Sequence, residues 1–356
     1  MRFEIGSEFW EGSTPLDGCG VEKWLPSGMD IIYTLCGRTA LELILRDALG
    51  GPFIHRAYLP SYCCHTMIEP FIRKGIEVEF YDVVFSESGI QCNFCEENDC
   101  EMVLLMDFFG FRDKETDRRA SRQRAAGKCV VYDATHALFC QNVDYGAYNY
   151  VLGSFRKWFG VNAGFCAKGG AWNYLPALKQ SKGYSELRNA AFLEKRRYMQ
   201  GELTEKEHFL QAFAQAEAQL ALDYEEYGPD ERSLNILKAI NVDFIRRRRT
   251  ENAAAVIEAV YKIDSLSVDS VFKTVGEDEC PLFVPLRVDS GMRAELRQFL
   301  IQNQIYYPVH WPLSNLHTLT EKAKGVYETE LSFVCDQRYS VSDMMHAIER
   351  IRSFCG

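Results

Sequence analysis

Between residues 30 and 157 the chain repeatedly runs a short apolar stretch into polar residues and then into a segment with helical spacing. Ile31-Ile32-Tyr33-Thr34-Leu35 is β-branched and aromatic, and Cys36-Gly37-Arg38-Thr39 is a turn. Ala40 to Leu49 then repeats Leu and Ile at helical spacing until Gly50-Gly51 ends it. Arg56 to Pro60 reads as a strand, the stretch from Thr66 to Gly75 as a helix, and Val78 to Asp82 alternates as a strand does. Glu101 to Met106 and Cys129 to Tyr132 are almost continuously apolar, which suits strands covered on both faces. This alternation predicts an α/β large domain with a mostly parallel sheet flanked by helices, in three layers. Ligands of such sheets collect at the carboxyl ends of the strands. Those ends carry Arg38-Thr39, Tyr62-Cys63-Cys64, Asp107, Asp133 and Ser154 to Lys157.

The middle of the chain changes character. Residues 183 to 222 are rich in Ala, Glu, Leu and Gln and read as long helices; Tyr227-Gly228-Pro229-Asp230 breaks them. A helix is then predicted from Ser233 through Arg249 to about Tyr261. After residue 262 the pattern alternates again, with Phe283 to Val288 as strand, Met292 to Gln304 as helix and Ser342 to Phe354 as a last helix. The expected organisation is an N-terminal segment (1–29), a large ligand-binding domain (30–240) and a smaller C-terminal α+β domain (241–356).

Charge and composition narrow the function classes. Forty Lys and Arg against fifty Asp and Glu give a net charge of −10 over 356 residues, which offers no general footprint for nucleic acid or an anionic membrane. Arg246 to Arg249 fall on a helix where four consecutive residues point in different directions, so they read as a solvated or salt-bridged face. The strongest apolar run, Val103 to Phe111, contains Asp107 and is far too short to span a bilayer. Met1 to Gly6 has an acid at its fourth position and no apolar stretch behind it, unlike a signal peptide, and a cytoplasmic location is expected. Thirteen cysteines, many in apolar segments, fit a reducing compartment better than a disulfide framework. Cys92, Cys95 and Cys100 have metal-like spacing but lack a fourth ligand, and a surface loop with no metal is the expectation.

Three groups at these strand ends belong together chemically. Gly37-Arg38-Thr39 opens a helix after a strand, and free N–H groups with the helix dipole make an anion site there. Asp133 closes an apolar strand, where a carboxylate is costly without a cationic partner. Ser154 and Lys157 follow another strand, Tyr150-Val151-Leu152. An anion site, a buried carboxylate and a lysine are what pyridoxal 5′-phosphate requires: hydroxyls and a helix N-terminus for its phosphate, a carboxylate for its ring nitrogen, and an amine for a Schiff base. Lys157 would also serve as the general base.

The segment Tyr33 to Leu43 resembles the phosphate-loop region of the DegT/DnrJ/EryC1/StrS aminotransferases, fold-type I enzymes that aminate keto-sugars. Tyr58 to Tyr62 and Gly75 to Asp82 are similar to that family's next two segments. Tyr132 to Ala137 resembles its Asp-Ala-Ala-(Gln/His)-Ala motif, and Ser154 to Trp158 its Schiff-base segment. Arg246 to Asn252 and Ile305 to Pro312 resemble its Arg-rich helix and its His-Tyr-Pro-Val-Pro loop. The resemblance runs in order over roughly residues 30 to 350.

It implies Lys157 as the Schiff-base lysine and Asp133 as partner of the ring nitrogen. It places Ser154, Gly37, Arg38 and Thr39 on the phosphate, and His136 near the cofactor's 3′-oxygen. Tyr307 and His310 would border the substrate pocket, and a homodimer would share its active sites. Cys64 aligns where the family stacks an aromatic ring on the cofactor. The serine–lysine spacer is short, and Arg232-Ser233-Leu234-Asn235 replaces the motif that reaches the partner's phosphate. Lys157 speaks against the family's dehydratases, which carry histidine there. An aminotransferase is implied, moving an amino group from glutamate to a keto-sugar nucleotide or related surface-polysaccharide precursor. A non-catalytic cofactor-binding regulatory or assembly protein on the same fold is the alternative.

Overall fold

A computed structural model describes residues 3–51, 53–263 and 267–355. After a short strand β1 (Ile5–Gly6), the large domain is built from β2 (Asp30–Thr34), α1 (Gly37–Leu49), β3 (Arg56–Pro60), α2 (His65–Arg73) and the hairpin β4 (Glu77–Ser86) and β5 (Gly89–Asn93). It continues through β6 (Met102–Met106), α3 (Lys114–Ala125), β7 (Cys129–Asp133), β8 (Tyr150–Ser154) and β9 (Gly164–Lys168). These strands form one eight-stranded sheet in the order β2-β9-β8-β7-β6-β3-β4-β5. The run from β4 through β3, β6 and β7 to β8 is parallel. Strand β9 lies antiparallel between β2 and β8, and β5 is antiparallel to β4.

The expected α/β architecture is therefore present, and the apolar strands explain it. Met102, Leu104, Val131 and Leu152 face a core shared with Leu41, Ile44 and Leu45 of α1 and Phe71 of α2. Their neighbours Val103, Leu105, Val130, Tyr132 and Val151 face the opposite core. Side chains alternate with period two, so a strand buried on both sides must be apolar at nearly every position. Gly164 lets two backbones converge at the sheet's edge: a Cβ there would meet the Cys36 carbonyl carbon at 2.7 Å and the Gly153 carbonyl oxygen at 2.8 Å.

Strand β10 (Lys179–Gln180) leads into α4 (Lys182–Gln200) and α5 (Glu207–Leu222), which pack on each other; β11 (Tyr227–Gly228) pairs with β10. Gly201, at φ +85°, ends α4 in the left-handed conformation that glycine permits. The single helix predicted from Ser233 to Tyr261 is two, α6 (Glu231–Ala239) and α7 (Val242–Tyr261). Ile240 is extended, and the Asn241 side chain caps α7 by accepting the Phe244 N–H. The N-terminal segment closes the break from outside: Gly18 and Gly20 N–H donate to Ala239 and Ile240 carbonyls, and Asn241 N–H to that of Pro15.

The remaining elements are β12 (Val268–Ser270), β13 (Val284–Val288), α8 (Arg293–Gln302), β14 (Ile305–Tyr306), α9 (Glu321–Thr329), β15 (Glu330–Phe333) and α10 (Val341–Cys355). Strands β12, β13 and β15 form an antiparallel sheet, while β14 pairs with β1 and so draws the N-terminus to this end of the chain. No helix among the described residues is long and apolar enough to cross a membrane.

Candidate active site

A cavity of about 580 Å³ opens where the carboxyl ends of β2, β7 and β8 meet the loops after β3 and β14. Gly37, Arg38, Cys64, Asp133, His136, Ser154, Lys157 and Tyr307 all line it. Two expected residues do not reach its wall. The Thr39 hydroxyl is buried and donates to the Tyr224 carbonyl at 2.6 Å, so it is committed inside the fold. His310 lies behind His136, with the two Nε2 atoms 2.8 Å apart.

Helix α1 begins at this cavity with no side-chain cap on its first turn, leaving its leading N–H groups free for an anion. Ser154 lies beside it: a Cβ on Gly37 would stand 3.4 Å from that of Ser154. Arg38 donates weakly to the Leu220 carbonyl at 3.4 Å, and its buried Nε has no partner among the described residues. The neighbouring Arg156 also has an orphaned buried Nε, while its guanidinium pairs with Glu217, which accepts from Arg188 at 2.7 Å as well.

Asp133 is 5% exposed and accepts the Thr135 N–H at 2.9 Å. Burial pushes its carboxyl pKa up, against the opposing pull of the Thr135 hydrogen bonds and the Lys157 charge. It forms no ion pair among the described residues, so a cationic group entering the cavity is the partner it lacks. Lys157 follows on a 3-10 turn, with its side chain exposed at the cavity. Burial, and secondarily Lys157, pushes the His136 pKa down to about 3. Its Nδ1 accepts the Phe109 N–H at 3.0 Å and its ring stacks on Trp311 at 4.9 Å. Both His136 nitrogens face protein partners here, while its ring lines the cavity. Cys64 caps the start of α2, and its sulfur accepts from the Thr66 hydroxyl at 3.1 Å. Tyr307 is buried, and its hydroxyl has no hydrogen-bond partner among the described residues.

Several wall residues were not legible as such. Arg249 is almost fully buried, hydrogen-bonded to Gln337 at 2.8 Å and to the Leu282 carbonyl at 2.8 Å. That corrects the surface reading for Arg249 alone: Arg247 is exposed and Arg248 pairs with Glu251. Arg188 and Glu217 come from α4 and α5, where nothing in the composition marks them. Arg156 sits inside the Ser-Phe-Arg-Lys segment and could have been flagged there. Seven Lys and Arg against four carboxylates line the cavity, so it is cationic within an acidic protein and would focus an anionic ligand. Arg232 donates within its own chain to the Gly160 carbonyl at 3.1 Å through Nη1. Burial pushes the Cys92 and Cys100 thiols up to about 12, and no three His, Cys, Asp or Glu among the described residues gather to hold a metal.

The fold, a largely parallel sheet flanked by helices with a smaller sheet beside it, is similar to that of solved aminotransferases. No protein-family model and no curated protein matches the sequence. Among solved structures, the chain is similar to the sugar aminotransferase CalS13 from Micromonospora echinospora, with TM-score 0.58, 15% identity and coverage of 91% of this chain and 87% of that one. PseC of Helicobacter pylori, an aminotransferase of pseudoaminic acid biosynthesis, gives TM-score 0.61 and 12% identity over 98% of this chain and 93% of that one. NtdA of Bacillus subtilis, solved with its cofactor PMP bound, gives TM-score 0.59 and 13% identity over 90% and 73%.

Proposed function

We propose that this chain is a pyridoxal-phosphate-dependent aminotransferase of the DegT/DnrJ/EryC1/StrS kind. Its substrate would be a keto compound, a keto-sugar nucleotide or related surface-polysaccharide precursor, with glutamate as donor. The observation that carries the reading is the convergence of Lys157, Asp133 and the uncapped start of α1 with Ser154 on one cavity. These residues fit the cofactor: the α1 N–H groups, Ser154 and Arg38 would hold its phosphate, Asp133 its ring nitrogen and Lys157 its aldehyde carbon. When bound, the cofactor supplies a ring that withdraws electrons from the substrate carbon and takes up the amino group. Asp133 would keep a proton on the ring nitrogen, gaining in return the cation that its buried carboxylate lacks. Lys157 Nζ would carry the proton to and from the substrate carbon. The cationic wall would draw in an anionic substrate.

The proposal includes a cytoplasmic homodimer that shares its active sites. Thirteen free cysteines support a reducing compartment, and exposed apolar side chains such as Leu175 and Leu222 support a partner surface. The test is to load the protein with pyridoxal phosphate and add glutamate without an acceptor. Conversion of the cofactor to its pyridoxamine form supports transamination. A spectrum unchanged by glutamate or any other amino donor overturns it in favour of a binding protein on the same fold. Light scattering that reports a monomer with full cofactor occupancy would remove the dimer.

A further inference from the structure

The two histidines define a hydrogen-bonded line across the domain boundary. Phe109 N–H donates to Nδ1 of His136 at 3.0 Å, and the Nε2 atoms of His136 and His310 are 2.8 Å apart. His310 stands after β14, and its own N–H donates to Glu330 of β15 at 2.8 Å. The donors fix every proton on this line. Because Nδ1 of His136 accepts, it bears no hydrogen, and the neutral ring must carry its proton on Nε2. That proton points at Nε2 of His310, which must then be bare, so His310 carries its proton on Nδ1. Neither ring can become an imidazolium without breaking a bond: a proton on Nδ1 of His136 collides with the Phe109 N–H, and one on Nε2 of His310 collides with His136. Burial and the nearby Lys157 charge favour the same neutral pair.

The turn that supplies the first donor is held just as tightly. Phe109 is at φ +59°, and the following Gly110 is at φ +84°, where a Cβ would meet the Cys280 carbonyl oxygen at 2.0 Å. Phe109 also accepts the Leu282 N–H at 2.7 Å. The ring of His136 is clamped further between Trp311, parallel at 4.9 Å, and Phe109 at 5.5 Å.

We infer that His310 is a positioning residue: it accepts the Nε2 proton of His136 and so fixes the ring and tautomer of the histidine that forms the cavity wall beside Lys157. The consequence for turnover rests on the aminotransferase reading, whereas the tautomers do not. His310 acts from the C-terminal part of the chain on a residue that follows a large-domain strand, so the loop after β14 must be seated before the wall of the cavity is complete.

The test is nitrogen-15 NMR on cofactor-free protein labelled in its seven histidines, with His136→Gln and His310→Gln used to assign the two rings. The expected spectrum shows directly bonded protons on Nε2 of His136 and Nδ1 of His310, unchanged well below the pH at which free imidazole titrates. A proton on Nδ1 of His136, or averaging between tautomers, in the wild-type spectrum overturns the inference. In the loaded enzyme, His310→Phe removes the acceptor and should lower kcat about tenfold while the donor KM moves within about twofold, the loss expected for one neutral hydrogen bond. His310→Gln offers an amide oxygen in place of the lone pair and should restore kcat. Unchanged kcat in His310→Phe overturns the positioning role even where the tautomers are as stated. A protein that shows these tautomers yet never transaminates refutes the function proposed above and leaves the pair standing.

Discussion

The guanidinium carbon of Arg249 sits 4.7 Å over the ring of Trp158, the residue that follows Lys157. The stack is pinned on both sides. Arg249 Nε donates to Gln337, whose amide in turn donates to the Trp158 carbonyl at 2.7 Å, and Trp158 Nε1 donates to the Thr135 carbonyl at 2.8 Å. One buried arginine on α7 therefore braces the lysine turn against the Asp133 turn. Arg249→Met should strand the Gln337 and Leu282 acceptors and lower stability by about 3 kcal/mol. Arg249→Lys should recover little of this, because an ammonium cannot fill both directions of the fork. Denaturant unfolding of the two variants checks it, and a loss below 1 kcal/mol in both would show that the brace is slack.

Lys157 should be where the cofactor becomes covalently attached. Borohydride reduction of protein incubated with pyridoxal phosphate should place the cofactor mass on one peptide, the one containing Lys157. Lys157→Ala should remove that label while changing stability by no more than about 0.5 kcal/mol, because the side chain is exposed and makes no ion pair among the described residues. Label found on another lysine contradicts the assignment.

Asp133→Asn keeps the shape of a residue at the end of β7 and preserves an acceptor for the Thr135 N–H. The amide cannot hold a proton on a ring nitrogen, so transamination should fall by about a hundredfold or more with cofactor still bound. Single-turnover conversion with glutamate measures it. A variant within a few-fold of wild type would reduce Asp133 to a structural group.

The middle of the sheet was readable because its central strands are buried on both faces. Cys129 to Tyr132 and Met102 to Met106 have no solvent side, so their sequence is nearly unbroken apolar and hard to mistake. The strand-end residues followed from that, which is why Asp133, Ser154 and Lys157 could be picked out together. The break between α6 and α7 could not be read, since Ile240-Asn241 contains neither Gly nor Pro. Its freed carbonyls are satisfied by Gly18 and Gly20, more than two hundred residues earlier. Arg249 was misread because a run of four arginines looks like a solvated surface until the Trp158 ring and the residue 281–282 carbonyls are placed around one of them. His310 was given a pocket contact by motif resemblance, but its depth behind His136 depends on how β14 meets the large domain, which no local pattern encodes.

Glu330 should make the protein lose stability as pH rises from about 4.5 to about 7. It is fully buried, accepts the His310 N–H at 2.8 Å and the Ser332 hydroxyl at 2.6 Å, and burial pushes its carboxyl up from 4.5 to about 7. Arg293, the nearby cation, spends its Nη1 on the Tyr327 and Glu330 carbonyls rather than on the carboxylate. Between about pH 4.5 and 7 the folded chain holds a proton that the unfolded chain has released. The unfolded state then binds fewer protons, so stability is complete below that window and falls as pH rises through it. At about 1.4 kcal/mol per pH unit the loss cannot exceed about 3.5 kcal/mol. Glu330→Gln removes the charge, and its amide can meet both the His310 N–H and the Ser332 hydroxyl. The variant should therefore be more stable than wild type at pH 8 by up to that amount, with the gap closing toward pH 4.5. Urea unfolding of both proteins at the two pH values reads the difference, in which the titration of every other group cancels. A gap of the same size at both ends of the range would mean that Glu330 is ionised throughout and that the His310 loop is held by a charge.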